Sequence, residues 1–217
     1  MKNVYLSQTN YLHGPENKNM YLPYAVGCLW AYASKDKYVS DNYTLKEIFV
    51  LREDIKKVLD RIENPCVFGF SCYVWNEEYQ LELSRQVKKK FPNCLIIFGG
   101  PQVPDEPKQY LEEHSHIDVC IRGEGEEPFK QILLGKDLDT IKGVHTKSLQ
   151  LGHSERIEDL DDIPSPYTNG IFDNLIEKHT NIDWHVMLES NRGCPFRCTF
   201  CDWGALTFSK VKKYSMD

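Results

Sequence analysis

Cys66-Val67-Phe68-Gly69-Phe70-Ser71 is a run without a single charge, closed by one hydroxyl. A strand with one wet face alternates polar and apolar side chains. This run does not alternate, so it reads as a strand covered on both faces, as in a parallel sheet between helices. The residues that follow agree. Asn76-Glu77-Glu78 reads as an N-cap and an acidic first turn, opening a helix that runs to Lys88-Lys89-Lys90 and stops before Pro92. Cys94 to Phe98 is a second buried strand, ending in Gly99-Gly100-Pro101.

The same alternation extends outward from this unit. Upstream, Val4 to Ser7 is a short strand. Leu22 to Ser34 has helical spacing, with Leu22, Val26, Leu29 and Trp30 on one face. Thr44 to Leu51 reads as a strand. Asp54 to Ile62 reads as a helix with Ile55, Val58, Leu59 and Ile62 apolar. Downstream come a helix at Glu106 to His114, a strand at Ile117 to Ile121 and a helix at Glu126 to Leu134. Five strands, each followed by a helix, predict an α/β fold: a Rossmann-like (flavodoxin-like) parallel sheet over residues 1–134.

Such sheets bind ligands beyond the carboxyl ends of their strands. Ser71 stands there, followed by Tyr73 and Trp75. So do Gly99-Gly100-Pro101 and Gly123-Glu124-Gly125-Glu126. Glycine lets a backbone approach a flat ligand, but tight strand-to-helix turns require glycine as well, and these residues alone do not separate the two. Tyr73 and Trp75 either wall a ligand or pack locally. Glu126 and Glu127 open a helix, where acidic residues favour the dipole, so they are read as structural rather than as an acid–base pair.

Residues 135–182 change character. Gly143-Val144-His145-Thr146 and Gln150-Leu151 suggest a hairpin, and Asp159 to Pro166 is a linker by composition. A new apolar strand is expected at His185-Val186-Met187-Leu188-Glu189, opening a second unit over 183–217. Directly after it comes Cys194-Pro195-Phe196-Arg197-Cys198-Thr199-Phe200-Cys201. Three thiolates on one turn-rich loop suit three corners of an iron–sulfur cubane. Zinc is the alternative. It asks for four ligands, often as two close pairs, and no second pair is present, although His185 or Asp202 would complete a set.

Cys194 to Cys201 matches the CxxxCxΦC signature of the radical S-adenosylmethionine superfamily, with Phe200 at the aromatic position, and Glu189 to Gly193 resembles the end of that family's first barrel strand. The order of elements before it, with Ser71, Gly99 to Gln102 and Ile117 to Glu126, is similar to the cobalamin-binding domain that precedes many radical enzymes. The resemblance implies a 4Fe-4S cluster on Cys194, Cys198 and Cys201, with S-adenosylmethionine on the open iron. It implies cobalamin along Ser71, Tyr73, Gly99, Gly100, Pro101, Gly123 and Glu124. It implies the start of a partial TIM barrel over 183–217, and an electron donor such as flavodoxin or ferredoxin. The implied chemistry is methylation of an unactivated centre through a 5′-deoxyadenosyl radical and methylcobalamin. Cyclisation or rearrangement is the alternative within the family. Since the barrel is incomplete here, a non-catalytic cofactor module, a truncated product and a zinc-binding flavodoxin-like regulator stand as further alternatives.

One departure is informative. Many cobalamin proteins carry DxHxxG after the first strand, where the histidine ligates cobalt. Here Tyr11 takes the Asp slot relative to His13 and Glu16 takes the Gly slot, so a base-off mode without a histidine ligand is expected. His114 and His116 fall at the wrong edge of the sheet.

Composition bounds the rest. The 217 residues are 41% hydrophobic and 27% charged, with a net charge of −6 and no basic stretch longer than three lysines, so no nucleic-acid surface is expected. No signal peptide and no 18-residue apolar window are expected. Of the eight cysteines, Cys66, Cys72, Cys94 and Cys120 sit in or beside strand-like runs and Cys28 lies on a helix, the pattern of buried thiols in a reducing cytoplasm.

Overall fold

The computed structural model describes all residues except 13–15, 17, 197, 201–210, 216 and 217. In chain order the elements are β1 (Lys2–Asn10), β2 (Asn19–Tyr21), α1 (Tyr24–Ser34), α2 (Lys37–Asn42), β3 (Tyr43–Leu51), α3 (Ile55–Arg61), β4 (Pro65–Ser71), α4 (Glu77–Lys90), β5 (Leu95–Gly99), α5 (Lys108–Glu113), β6 (Val119–Ile121), α6 (Glu126–Leu133), β7 (Val144–His145), α7 (Asp173–Lys178), β8 (Asp183–His185), β9 (Asn191–Arg192) and β10 (Lys212–Lys213). The central sheet runs β3-β1-β4-β5-β6-β7. Its first five strands are parallel, so the α/β, Rossmann-like expectation holds.

Both faces of the sheet are covered, as the unbroken apolar run of β4 requires. Val67 joins Val4, Leu6, Val26, Ile97 and Val119 on the face carrying α1 and α6. Phe68 and Phe70 join Tyr5, Phe49, Leu83, Val87 and Phe98 on the face carrying α3 and α4. There Phe68 stacks on Phe70 at 4.4 Å, and Phe70 lies 5.0 Å from Phe98. Burying each such ring stabilises the fold by roughly 1.5–3 kcal/mol.

The sheet differs from expectation at one edge. The segment read as a hairpin also supplies a sixth strand: β7 runs antiparallel to β6, with Cys120 opposite His145 and Ile121 opposite Val144. The hairpin itself is short, with an antiparallel bridge from His145 to Gln150 and backbone bonds between Thr146 and Leu149 at 2.8 and 3.3 Å. His145 tolerates full burial because its ring contacts Gln150 Oε1 at 2.8 Å and the Gly152 carbonyl at 2.6 Å.

The strand expected at His185–Glu189 is displaced. β8 covers Asp183–His185 and pairs in parallel with β2, while Val186, Met187 and Leu188 are exposed. A ladder forms only where a partner strand exists, and among the described residues none lies beside 186–188. Asn76 stands at the N-cap position of α4, as expected, but without the side-chain bond of a cap. Its side chain accepts no bond from the N–H groups of α4 but accepts from Tyr73 N at 2.8 Å and donates to the Thr9 and Ser71 carbonyls at 3.0 and 3.1 Å. Among the described residues no helix is long and apolar enough to cross a membrane.

Candidate functional site

A cavity of about 930 Å³ opens at the carboxyl ends of β1, β4, β5 and β6. The seven residues expected to meet a ligand there, Ser71, Tyr73, Gly99, Gly100, Pro101, Gly123 and Glu124, all line it. Register explains the floor. Gly69 pairs with Ile97 and Ser71 with Gly99, so small residues on neighbouring strands form a low trough flanked by Ile97 and Ile121.

The glycines divide by role. A Cβ on Gly100 meets Cys72 O at 2.6 Å, and its φ of +101° disfavours any side chain. Gly123, at φ +90°, sits with its Cβ position 2.5 Å from Ser154 Oγ. Both are required by their turns. Gly99 differs: an added Cβ finds only ordinary contacts, Ile121 O at 3.7 Å and Ile121 Cβ at 4.0 Å. Its bareness keeps the trough open. Gly69 shares that trough and was not singled out from sequence, although it is the gap among large side chains in the run that fixed the fold.

Asn76 places the next wall. By tying the β4–α4 loop to the ends of β1 and β4 it holds Tyr73 and Trp75, whose rings stack at 4.6 Å and 11°. Tyr73 is pushed up from the usual phenol range, mainly by burial. Arg122, 6% exposed at the end of β6, holds the loop after β5 through the Val103 carbonyl at 2.5 Å and through Asp105.

The opposite wall comes from outside the parallel strands. Tyr24 at the start of α1, and Met187, Glu189 and Arg192 from the segment before the cysteines, line the same cavity. Arg192 binds Glu126 at 2.6 Å, Glu189 at 3.0 Å and Glu124 at 3.4 Å. Burial opposes its charge, but Glu126, Glu189 and Glu124 outweigh that and raise its pKa. Glu124 also accepts from Arg156 at 3.1 Å and from Ile157 N at 2.9 Å. It is therefore a structural anchor at the cavity edge. Glu189 faces Tyr24 OH and Tyr214 OH, each at 3.4 Å. In sequence Arg192 is one residue of the Glu189 to Gly193 motif, and no local pattern signals this network.

The cysteine loop is partly described. Cys194 is half-buried, Cys198 exposed, and Phe200 is 91% exposed. Cys201, Asp202 and His13 lie outside the described residues. His185 sits in β8 with Nε2 3.0 Å from Asn19 Oδ1. The sheet thiols behave as small hydrophobes: burial pushes Cys94 and Cys120 up to about 12 and Cys72 well above its usual value, and it pushes Cys28 on α1 up to about 12.

Comparison with known proteins adds to this geometry. The B12 binding domain model matches residues 29–133. The cobalamin-dependent radical SAM methyltransferase TokK of Streptomyces tokunonensis is 34% identical over 209 residues, covering 91% of this chain and 31% of that protein. The 2-(S-pantetheinyl)-carbapenam-3-carboxylate methyltransferase of Streptantibioticus cattleyicolor is 33% identical over 208 residues, covering 91% of this chain and 30% of that protein. An anaerobic magnesium-protoporphyrin IX monomethyl ester cyclase of Cereibacter sphaeroides is 29% identical over 162 residues, covering 70% of this chain and 26% of that protein. The chain thus spans about three-tenths of the length of the first two relatives. On a five-stranded parallel array with a trough at its strand ends, the domain match identifies a cobalamin-binding domain over residues 29–133, in a chain similar to part of two methyltransferases, one of them named as a cobalamin-dependent radical S-adenosylmethionine enzyme.

Proposed function

We propose that the whole protein is a cobalamin-dependent radical S-adenosylmethionine methyltransferase, with the corrin held in the cavity at the strand ends and a 4Fe-4S cluster on Cys194, Cys198 and Cys201. One observation carries the reading: residues from four separate strand ends share one cavity with Met187, Glu189 and Arg192, and that segment leads directly into Cys194.

The lining suits a large, flat, mostly apolar ligand with a polar rim. Gly69, Ser71 and Gly99 leave the floor bare, the Tyr73–Trp75 stack supplies a flat wall, and Glu124 is already paired with Arg156 and Arg192. Tyr11 and Glu16 stand in the Asp and Gly slots of the DxHxxG pattern, which supports a base-off mode without an imidazole from the protein. When bound, the corrin supplies a transferable methyl group, and the cluster supplies the electron that cleaves S-adenosylmethionine. The chain's own residues bind and orient. The trough and stack hold the ring, Asn76 and Arg122 fix the loops around it, and the buried Arg192 network sets the start of the cysteine loop. A flavodoxin or ferredoxin in a reducing cytoplasm is the proposed electron source, and a substrate centre that is not activated towards ordinary methylation is the proposed target.

Anaerobic reconstitution of the chain tests the cluster, with about four iron and four sulfide per chain expected. Stoichiometric zinc without sulfide refutes it. Titration with hydroxocobalamin tests the cavity, with a base-off spectrum expected; no binding at high micromolar ligand refutes it. The cyclase relative favours cyclisation as a second reading, and product mass separates the two: methylation adds a methyl group to the substrate, and cyclisation does not.

A further inference from the structure

Arg192 is shared by three carboxylates that belong to different parts of the chain. Glu124 lies in the turn between β6 and α6 and Glu126 opens α6, whereas Glu189 lies in the segment that walls the cavity. The side chain is only 13% exposed, so these contacts are not surface pairs that water would screen away. Charges do not balance around it. Arg192 and Arg156 provide two positive charges against three negative ones on Glu124, Glu126 and Glu189, a local surplus of one carboxylate. Taking Arg192 away leaves one cation against three carboxylates, and the wall segment is then repelled by the turn it rests on. Arg192, Glu189 and Met187 also line the cavity itself. An occupant therefore presses on the segment that continues, two residues on, into Cys194.

We propose that Arg192 is a positioning residue, a latch that holds the start of the cysteine loop against the cofactor cavity and so links filling of the cavity to ordering of Cys194. The inference rests on the reading of that cavity as the corrin site, but not on whether iron occupies the cysteines. Linkage is reciprocal: if the latched loop favours the ligand, the ligand favours the latched loop. A single ammonium in place of the guanidinium reaches fewer of the three acceptors, because it lacks the planar fork.

The test uses the full chain without metal and methylcobalamin in the dark. Alkylation of Cys194 by N-ethylmaleimide is followed by mass spectrometry, with exposed Cys198 as the internal comparison. In the parent protein, saturating methylcobalamin is expected to slow Cys194 alkylation by about fivefold or more, the lower end of ordinary coupling between sites. R192Q is expected to abolish the slowing, and R192K to restore part of it. The double variant R192Q/E126Q relieves the carboxylate repulsion and keeps the fold, yet is expected to lack the slowing as well. A parent protein that binds no methylcobalamin overturns the corrin reading. Binding with the same protection in the parent protein and in both R192Q variants overturns the latch alone, as does binding without any protection in the parent.

Discussion

Replacing Asn76 with alanine is the most informative single change, because one buried side chain holds both the sheet and the cavity wall. Asn76 is fully buried and makes three side-chain bonds to main-chain groups: from Tyr73 N at 2.8 Å, to Thr9 O at 3.0 Å and to Ser71 O at 3.1 Å. Each bond is worth about 1 kcal/mol net when made, and its loss strands a partner away from water, so N76A is expected to cost about 3 kcal/mol. For a chain of this size that lowers the melting temperature by about 6–12 °C. N76D is the sharper control. It keeps the shape and the acceptor towards Tyr73 N, but turns an oxygen towards two carbonyls that need a donor, so it is expected to cost at least as much as alanine. Urea unfolding of the apo chain measures both, and an unchanged slope confirms that the native state, rather than compactness, has changed. Because the loop carries Tyr73 and Trp75, the destabilised variants are also expected to bind hydroxocobalamin more weakly. A loss below about 1 kcal/mol for N76A, or an N76D protein as stable as its parent, refutes the claim that hydrogen bonding at Asn76 organises the wall.

Four further outcomes follow from the geometry. G99L fills the trough, where a Cβ meets nothing closer than 3.7 Å, so hydroxocobalamin affinity is expected to fall by about tenfold or more (about 1.4 kcal/mol) with little change in urea midpoint. G100A places its Cβ 2.6 Å from Cys72 O at φ +101° and is expected to lower the midpoint itself. His116 packs against Ser84 Oγ at 3.0 Å, and burial, with His114 and Arg85 nearby, lowers its pKa to about 4. Its folded value lies below the ordinary 6.5, so the contribution is complete above pH 6.5 and is lost as pH falls towards 4; urea midpoints measured across that window should decline, and less steeply in H116N. R122M frees the Val103 carbonyl and Asp105, and amide exchange is expected to quicken across the loop after β5 while the β4 amides stay protected.

The parallel strands were legible because burial on both faces leaves an unbroken apolar run, and no other local structure of that length explains Cys66 to Ser71 between turn signals. What local pattern cannot supply is the identity of a distant partner. Asn before Glu-Glu signals a helix cap, but here the amide is taken by Thr9, 67 residues upstream, which no local rule sees. His145 looked like a hairpin residue, and only the edge of β6, together with Gln150 and Gly152, makes it a buried strand residue. Val186-Met187-Leu188 carries the apolar signal of a strand, but hydropathy reports what a residue would bury rather than whether a neighbour is there to receive it. Gly99 and Gly100 are adjacent and indistinguishable in sequence, yet one is bare for its turn and the other for the cavity, a distinction that needs the Cβ positions.

The cavity also shows why the domain match and the site have different extents. The B12 binding domain match begins at residue 29 and ends at 133. Gln8 to Tyr11 and Tyr21 to Tyr24 line the cavity from before that span, and Met187, Glu189 and Arg192 line it from after. Strand-end residues alone make a trough open on one side, since a parallel sheet presents only its floor and turns to a ligand. Closure depends on α1 entering through Tyr24 and on the wall segment being pinned to the β6–α6 turn by Arg192. The glycine-rich turn at 123–126 thus serves two purposes that its sequence does not separate. Its glycines let the chain turn beside the ligand, and its two glutamates bind the arginine that precedes the cysteines. The trough and the start of the cysteine loop rest on the same turn, so a substitution there is expected to disturb ligand binding and the loop together rather than either one alone.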